Sequence, residues 1–120
     1  MAEVKRSVRV AERVREELAS LIARRVKDPR AQNVVVTRVE MPDDLRLARV
    51  WVRTLDGDEA TGEQAIKALG GASGLLRKEL TRALALRFAP ELRFQWDSGQ
   101  DAATRVEQLL DEIARERKPS

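Results

Sequence analysis

The sequence of 120 residues predicts an α+β fold in which helices cover one face of a small three-stranded sheet. Segments whose apolar residues recur every three to four positions alternate with short segments rich in β-branched residues. Their order is helix, strand, strand, helix, break, helix, strand, helix. No internal repeat or linker divides the chain, so we expect one domain over residues 1–116 and a short flexible tail over residues 117–120.

The first helix is predicted over about residues 6–26, where Val10 and Leu18 belong to one apolar stripe. Ser7 is a candidate cap near its start. The Asp-Pro-Arg sequence at residues 28–30 ends the helix, because the residue before a proline is pushed out of the α conformation.

Two strands follow, over residues 33–41 and 45–54, and the Pro-Asp-Asp sequence between them is typical of a turn. We expect an antiparallel hairpin. One face of it is apolar and requires cover by helices, whereas the other face carries Arg38, Arg49 and Arg53 with Trp51 among them. Trp51 is interpreted either as a platform on which bases stack or as an aromatic ring packed on arginine stems or on the last helix.

The second half begins with an acidic connection over residues 56–62 and a helix over about residues 59–69. Three glycines within residues 70–74 then break the helical pattern, since each costs a helix interior about 1 kcal/mol relative to alanine. The pattern resumes with a further helix that ends before Pro90. A third strand ending at Trp96 and a last helix over about residues 101–115 complete the prediction.

Several function classes are excluded by composition. The chain has no histidine and no cysteine, which rules out disulfides, thiolate or imidazole metal sites and Ser-His-Asp catalysis. Its paired carboxylates fall in turns or on an exposed helix face, and no phosphate-binding loop motif occurs. We therefore expect no enzyme, no cofactor and no small-molecule substrate. With no signal peptide and no membrane-spanning segment, we expect a cytoplasmic protein without a membrane partner.

Positive charge is concentrated in the first half of the chain. The net charge is +3, but residues 1–55 carry +5 and residues 56–120 carry −2, and 18 of the 23 cations are arginine. Arginine binds phosphate in a forked geometry and stacks on bases, so this composition points toward nucleic acid. The alternative is a GC-rich genome that encodes arginine where others use lysine.

The glycine break contains the sequence Gly71-Ala72-Ser73-Gly74, which matches G-x-x-G and is followed by Arg77 and Lys78. Residues without large side chains let a nucleic-acid backbone approach, and the next helix offers amides and cations to phosphate. A KH domain carries its G-x-x-G clamp at the same place in its element order. The alternative interpretation is a plain helix cap.

Several short segments together carry a family resemblance: Arg13-Val14, residues 27–30, 36–39, 44–45 with 48–52, 72–77, and 90–94 before Asp97. By their order and spacing the sequence resembles the ribosome-binding factor A family over about residues 5–112. The resemblance implies a KH-type, type II-like domain in which an Ala-x-Gly kink, matched by Ala72-Ser73-Gly74, replaces the G-x-x-G clamp.

The resemblance also implies a function. Members of the family are non-catalytic assembly factors that bind the free 30S small ribosomal subunit and assist late maturation of 16S rRNA, including its 5′ end, with a role in cold adaptation. We expect a monomer with the 30S subunit as partner and consider an assembly GTPase as a second partner. The alternative is a KH-like protein-interaction module on the ribosome, in which RNA binding is secondary.

The residues predicted to contact RNA lie in three groups: the end of the first helix, the hairpin, and the kink with the turn after it. Taken singly, the arginines of the first helix are interpreted as a solvated face: Arg6, Arg9, Arg13, Arg24 and Arg25. Together with Lys5, Lys27 and Arg30 they belong to a basic segment over residues 1–30, which has nine cations and five anions. The predicted RNA-binding residues are Arg24, Arg25, Lys27, Arg30, Arg38, Arg49, Arg53, Ala72, Ser73, Gly74, Arg77 and Lys78.

Overall fold

The computed structural model describes residues 4–55 and 57–98, and these form an α+β fold in the predicted order. The predicted last helix and the tail at residues 117–120 lie outside the described residues. None of the helices described here has both the length and the apolar character needed to cross a membrane. The elements are α1 (Arg6–Arg25), a 3₁₀ turn (Pro29–Ala31), β1 (Val34–Glu40), β2 (Leu47–Thr54), α2 (Glu59–Gly71), α3 (Ser73–Ala83) and β3 (Glu91–Trp96).

The sheet has the strand order β1-β2-β3, with β2 in the centre. β1 runs antiparallel to β2 as the predicted hairpin, whereas β3 runs parallel to β2. A parallel pair requires a crossover connection, and the helices α2 and α3 supply it. This arrangement is compatible with the predicted KH-type topology.

A β-bulge interrupts the hairpin at Thr37. Val36 lies opposite Val52, but the next register partner, Trp51, lies opposite Arg38, so β1 has one residue more than β2 at this point. A bulge bends its strand and redirects the side chains beside it. Thr37 is therefore free to reach toward the third strand.

The core lies between the helices and one face of the sheet. Leu18 of α1, Leu69 of α2 and Leu80 of α3 are fully buried against Val50 and Val52 of the central strand. Burying each such side chain contributes roughly 1.5–3 kcal/mol. Because side chains alternate along a strand, the residues between these valines point to the opposite face, which the described helices leave open.

Gly62 lies inside α2, in agreement with the helix predicted over about residues 59–69, so the connection before this helix is shorter than the predicted residues 56–62. The helix begins two residues after Gly57, with Asp58 as its cap, and Thr61 donates its backbone N–H to Asp58 Oδ1 at 2.6 Å. This bond holds the pKa of Asp58 below its usual value. A Cβ at Gly62 would lie 2.9 Å from Cδ2 of Trp96 and closer still to Cε3. Glycine is therefore required for α2 to pack against the indole at the end of β3.

Ser7 does not cap α1, and that prediction was wrong. The helix begins at Arg6 after Lys5, without a hydrogen bond from a capping side chain. Ser7 is buried instead, and its Oγ donates to Oδ1 of Asp43 at 3.1 Å. The hydroxyl thereby ties the first turn of α1 to the turn between β1 and β2.

Candidate nucleic-acid interface

The predicted break between α2 and α3 is a kink at one residue. Ala72 leaves helical geometry with φ −94° and ψ 1°, yet its N–H still bonds the carbonyl of Ala68 at 3.1 Å. Its own carbonyl accepts from the N–H of Leu76 at 3.0 Å, which starts α3 at once. The helix axis therefore changes direction without a loop, and the backbone hydrogen bonds on both sides of the kink are kept.

The glycines at this kink are not required by the fold. A Cβ at Gly70, Gly71 or Gly74 would meet no atom within 4 Å, and none of these residues has a positive φ. In this they differ from Gly62, where a Cβ would clash. Their bare backbone faces open space, so they leave room for a partner that approaches more closely than side chains would allow.

A cleft of about 330 Å³ opens beside the kink, and we call it the kink cleft. It brings together the end of α1, the 3₁₀ turn and the end of α2. Lys67, four residues before Gly71 on the same face of α2, was missed by the sequence analysis, although this spacing indicates it. The side chains and backbone that form the kink cleft belong to Arg25, Val26, Lys27, Asp28, Arg30, Lys67, Ala68, Gly71 and Ala72.

The kink cleft is strongly positive because it contains four cations and one carboxylate. That carboxylate, Asp28, is already engaged: Arg30 donates its Nη2 to Oδ2 at 2.7 Å and its backbone N–H to Oδ1 at 2.9 Å. These bonds lower the pKa of Asp28 to about 2, so it stays ionised and orients Arg30. Arg25 pairs with Glu79 at 3.3 Å, whereas Lys27 and Lys67 make no ion pair with any residue of 4–55 and 57–98. The two lysines are therefore available to an anionic partner.

Arg24 does not face this cleft. Its Nε donates to Ser20 Oγ at 3.0 Å, and its Nη2 lies 3.6 Å from Glu17 Oε1. Both contacts run back along α1, one and two turns toward its start. Of the four cations predicted at the end of α1, the structure thus brings Arg25, Lys27 and Arg30 to the kink and leaves Arg24 on another side of the helix.

The cations predicted after the kink have different surroundings. Arg77 is half-buried, and it donates Nε to the carbonyl of Pro90 at 2.9 Å and Nη2 to that of Ala89 at 3.0 Å. It fixes the chain that leads into β3. Lys78 is exposed, and Ser73 and Gly74 form the first turn of α3. Arg77 therefore has a structural task that the sequence did not indicate.

The hairpin cations lie on the open face of the sheet, away from the kink cleft. The guanidinium of Arg38 lies over the indole of Trp51, 4.0 Å from the ring centroid. Arg53 donates to the carbonyl of Asp97 at 2.6 Å and lies 5.0 Å from the Trp96 ring. Arg49 is exposed two residues before Trp51 on β2, opposite Glu40. The kink-cleft cations and the hairpin cations thus form two separate surfaces, and Arg24 and Arg77 belong to neither of them.

Comparison with known proteins decides the family. The family model of ribosome-binding factor A matches residues 6–110. The chain belongs to the ribosome-binding factor A family. A ribosome-binding factor A from Sorangium cellulosum is 49% identical over 112 residues, which cover 92% of this chain and 90% of that protein.

Solved structures of ribosome-binding factor A share the fold. A solution structure from Thermotoga maritima superposes with a TM-score of 0.70 at 30% identity, covering 82% of this chain and 93% of that one. A homology model of the Thermus thermophilus ribosome-binding factor A, fitted into the cryo-electron microscopy map of its complex with the 30S subunit, gives a TM-score of 0.63 at 27% identity, and the match covers 77% of this chain and 97% of that one. These matches confirm the predicted family and the α+β fold class.

Proposed function

We propose that this protein is a non-catalytic assembly factor that binds the free 30S small ribosomal subunit in the bacterial cytoplasm and assists late maturation of 16S rRNA, including its 5′ end. The observation that carries the proposal is the kink cleft, where four cations surround backbone that carries no side chain. The relative from Thermus thermophilus, fitted into the map of a 30S complex, supports the same partner.

The kink cleft binds RNA through phosphate rather than through base edges. Lys27 and Lys67 displace counterions from the phosphates, which makes affinity fall steeply with salt. Gly71 lets the sugar-phosphate backbone approach the end of α2, and Arg30, held by Asp28, presents a fixed guanidinium fork. These contacts stabilise one arrangement of an rRNA segment and require no chemical step.

A non-catalytic role also agrees with the carboxylates. Of the carboxylates in the described residues, Asp97 alone is buried, and it is engaged by Thr37 at 2.5 Å. General acid–base chemistry needs a carboxyl group that is poised toward neutral pH and can reach a substrate. The arrangement around Asp97 supports a structural role for it.

Sedimentation through a sucrose gradient tests the proposal. We expect tagged wild-type protein from a lysate of its own bacterium to migrate with free small subunits and to be absent from whole ribosomes. The double variant Lys27→Gln/Lys67→Gln is expected to lose this association at a lower salt concentration than wild-type protein does. The control, Arg15→Gln/Arg82→Gln, removes the same charge from positions outside the kink cleft and should behave as wild type.

Three results would contradict the proposal. Wild-type protein that stays at the top of the gradient at every salt concentration does not bind the subunit. Identical behaviour of both double variants removes the kink cleft from the interface. An association that keeps its strength at about 200 mM salt supports the alternative of a protein-interaction module, because a phosphate interface weakens steeply there.

A further inference from the structure

A second and larger cleft, of about 740 Å³, lies between the first half of α1 and the chain that joins α3 to β3. It contains none of the residues that were predicted to bind RNA. We call it the arginine cleft and define it by Arg6, Arg9, Arg13, Asp44, Arg87 and Phe88. Its volume falls within the range of about 300–1,000 Å³ that is typical of small-ligand sites.

The arginine cleft has a surplus of positive charge that the described residues do not neutralise. Arg6, Arg9 and Arg13 are spaced three and four residues apart, so they share one face of α1. Within residues 4–55 and 57–98, neither these arginines nor Arg87 forms an ion pair. Asp44, the acidic residue of the cleft, already accepts the backbone N–H of Arg46 at 3.1 Å. The sequence analysis interpreted the helix arginines as a solvated face, whereas here they line a concavity.

The aromatic ring of Phe88 lies in the same cleft as these arginines. Phe88 is 47% exposed and lies outside the core cluster. The guanidinium groups of Arg46 and Arg87 lie 4.5 and 5.5 Å from its ring centroid. Exposing a phenylalanine costs solvation free energy, and an aromatic ring among arginines is the combination that holds an unpaired base by stacking and its phosphates by charge.

The spacing of the arginines favours a nucleic-acid strand over other anions. Seven residues of α-helix separate Arg6 from Arg13, a rise of about 10 Å. Successive phosphates of one stacked strand advance by about 3.4 Å along the helix axis, so this length corresponds to about three nucleotide steps. A duplex presents a convex backbone and cannot insert a base into a cleft, whereas a single strand can.

We propose that the arginine cleft binds one unpaired nucleotide of RNA, with the base stacked on Phe88 and the flanking phosphates on Arg6, Arg9 and Arg13. This inference rests on the proposed function, because it adds a single-stranded segment to the RNA that the protein recognises. The kink cleft lies at the other end of α1, so the two sites hold different segments of that RNA. Preference for a single-stranded segment then comes from the arginine cleft.

The test uses a short single-stranded RNA with 2-aminopurine at its centre, compared with a blunt duplex of the same sequence. We expect wild-type protein to quench the 2-aminopurine fluorescence as the base stacks. Phe88→Ala should remove the quenching and weaken single-strand binding at least about fivefold, since one stacked base contributes roughly 1–3 kcal/mol. Phe88→Tyr should keep both the quenching and the affinity for the single strand. Binding of the duplex should be the same in Phe88→Ala and Phe88→Tyr as in wild type.

A second pair of variants makes the test independent of Phe88. Arg13→Gln should weaken single-strand binding, whereas Arg15→Gln, with the same charge change outside the arginine cleft, should not. The proposal is overturned if both Phe88→Ala and Arg13→Gln keep the wild-type affinity for single-stranded RNA. It is also overturned if an acidic peptide binds more tightly than the RNA and displaces it, because the cleft then belongs to a protein partner.

The double variant Lys27→Gln/Lys67→Gln separates this proposal from the proposed function, because it should still quench 2-aminopurine. If wild-type protein migrates with small subunits but Phe88→Ala and Arg13→Gln bind the RNA as tightly as wild type, the nucleotide site alone is overturned. Wild-type protein that neither quenches 2-aminopurine nor migrates with small subunits would overturn both.

Discussion

Oγ1 of Thr37 lies 2.5 Å from Oδ2 of Asp97, although the two residues are 60 positions apart and lie at opposite edges of the sheet. Thr37 is on β1 and Asp97 follows β3, so this contact passes over the central strand, where the carbonyl of Trp51 also lies 3.2 Å from the hydroxyl. The bulge at Thr37 makes the reach possible. One hydroxyl thus links all three strands on the open face.

Replacing Thr37 by valine tests this link. Thr37→Val keeps the shape of the side chain but removes the donor to a buried carboxylate, which should lower the free energy of unfolding by about 1–3 kcal/mol. Thr37→Ser keeps the hydroxyl and should lose much less. Urea denaturation measures both, and equal stability of Thr37→Val and wild type would show that the contact contributes nothing.

Gly62 and Trp96 give a second prediction. Alanine normally stabilises a helix interior relative to glycine by about 1 kcal/mol. At Gly62 the added Cβ would overlap the Trp96 indole, so Gly62→Ala should instead destabilise the protein by about 1–3 kcal/mol. Tryptophan fluorescence should shift as the indole moves. The double variant Gly62→Ala/Trp96→Leu should recover part of the loss, and a stabilised single variant would refute the packing.

The glycines at the kink should show the opposite behaviour. Gly71→Gln adds a good helix former in open space, so stability should stay constant or rise by up to about 1 kcal/mol. Binding to small subunits should weaken by roughly tenfold, or about 1.4 kcal/mol, because the side chain blocks the approach of RNA.

Gly70→Gln is the matched control for Gly71→Gln, since its Cβ is equally unhindered but Gly70 does not line the kink cleft. It should gain the same stability and bind as wild type. If both variants bind normally, close approach at Gly71 is not part of recognition.

Stability should depend on pH through Asp28. Hydrogen bonds from Arg30 lower the pKa of Asp28 from 3.8 to about 2. A carboxyl group with a lowered pKa stabilises the fold above its unfolded-state pKa, and this contribution is lost as pH falls through the folded-state value. The stability difference between wild type and Asp28→Asn should therefore be constant above about pH 5 and shrink between about pH 4 and 2.

Urea denaturation at successive pH values measures this difference. A wild-type advantage over Asp28→Asn that stays constant down to pH 2 would contradict the role of the Arg30 hydrogen bonds.

Local patterns predicted the helices and strands, because helices and hairpins depend on residues that are close together in the sequence. The stripe containing Val14 and Leu18 indicated α1, and the alternation around Trp51 indicated which face of β2 is open. The kink after Gly71 followed from the helix propensity of glycine. These signals need only neighbours in sequence.

Contacts between distant segments could not be predicted in the same way. Arg77 was predicted to contact RNA because it follows the glycines, but its donors bond carbonyls at Ala89 and Pro90, across the turn after α3. Phe88 and Arg87 sit in an irregular segment, where no period indicates which way a side chain points. Their position beside the arginines of α1 depends on the path by which the crossover returns the chain to the sheet, and short-range patterns do not predict that path.

The parallel pairing of β3 with β2 has a consequence for synthesis of the chain. The hairpin β1–β2 forms from neighbouring segments, whereas β3 joins only after residues 55–90 have completed the crossover. In a nascent chain that ends before Glu91, β2, which is central in the complete sheet, is still an unpaired edge strand, and such edges can pair with other chains. Pairing with β3 thus places β2 in the interior of the sheet, and truncated products that lack β3 should aggregate more readily than the whole chain.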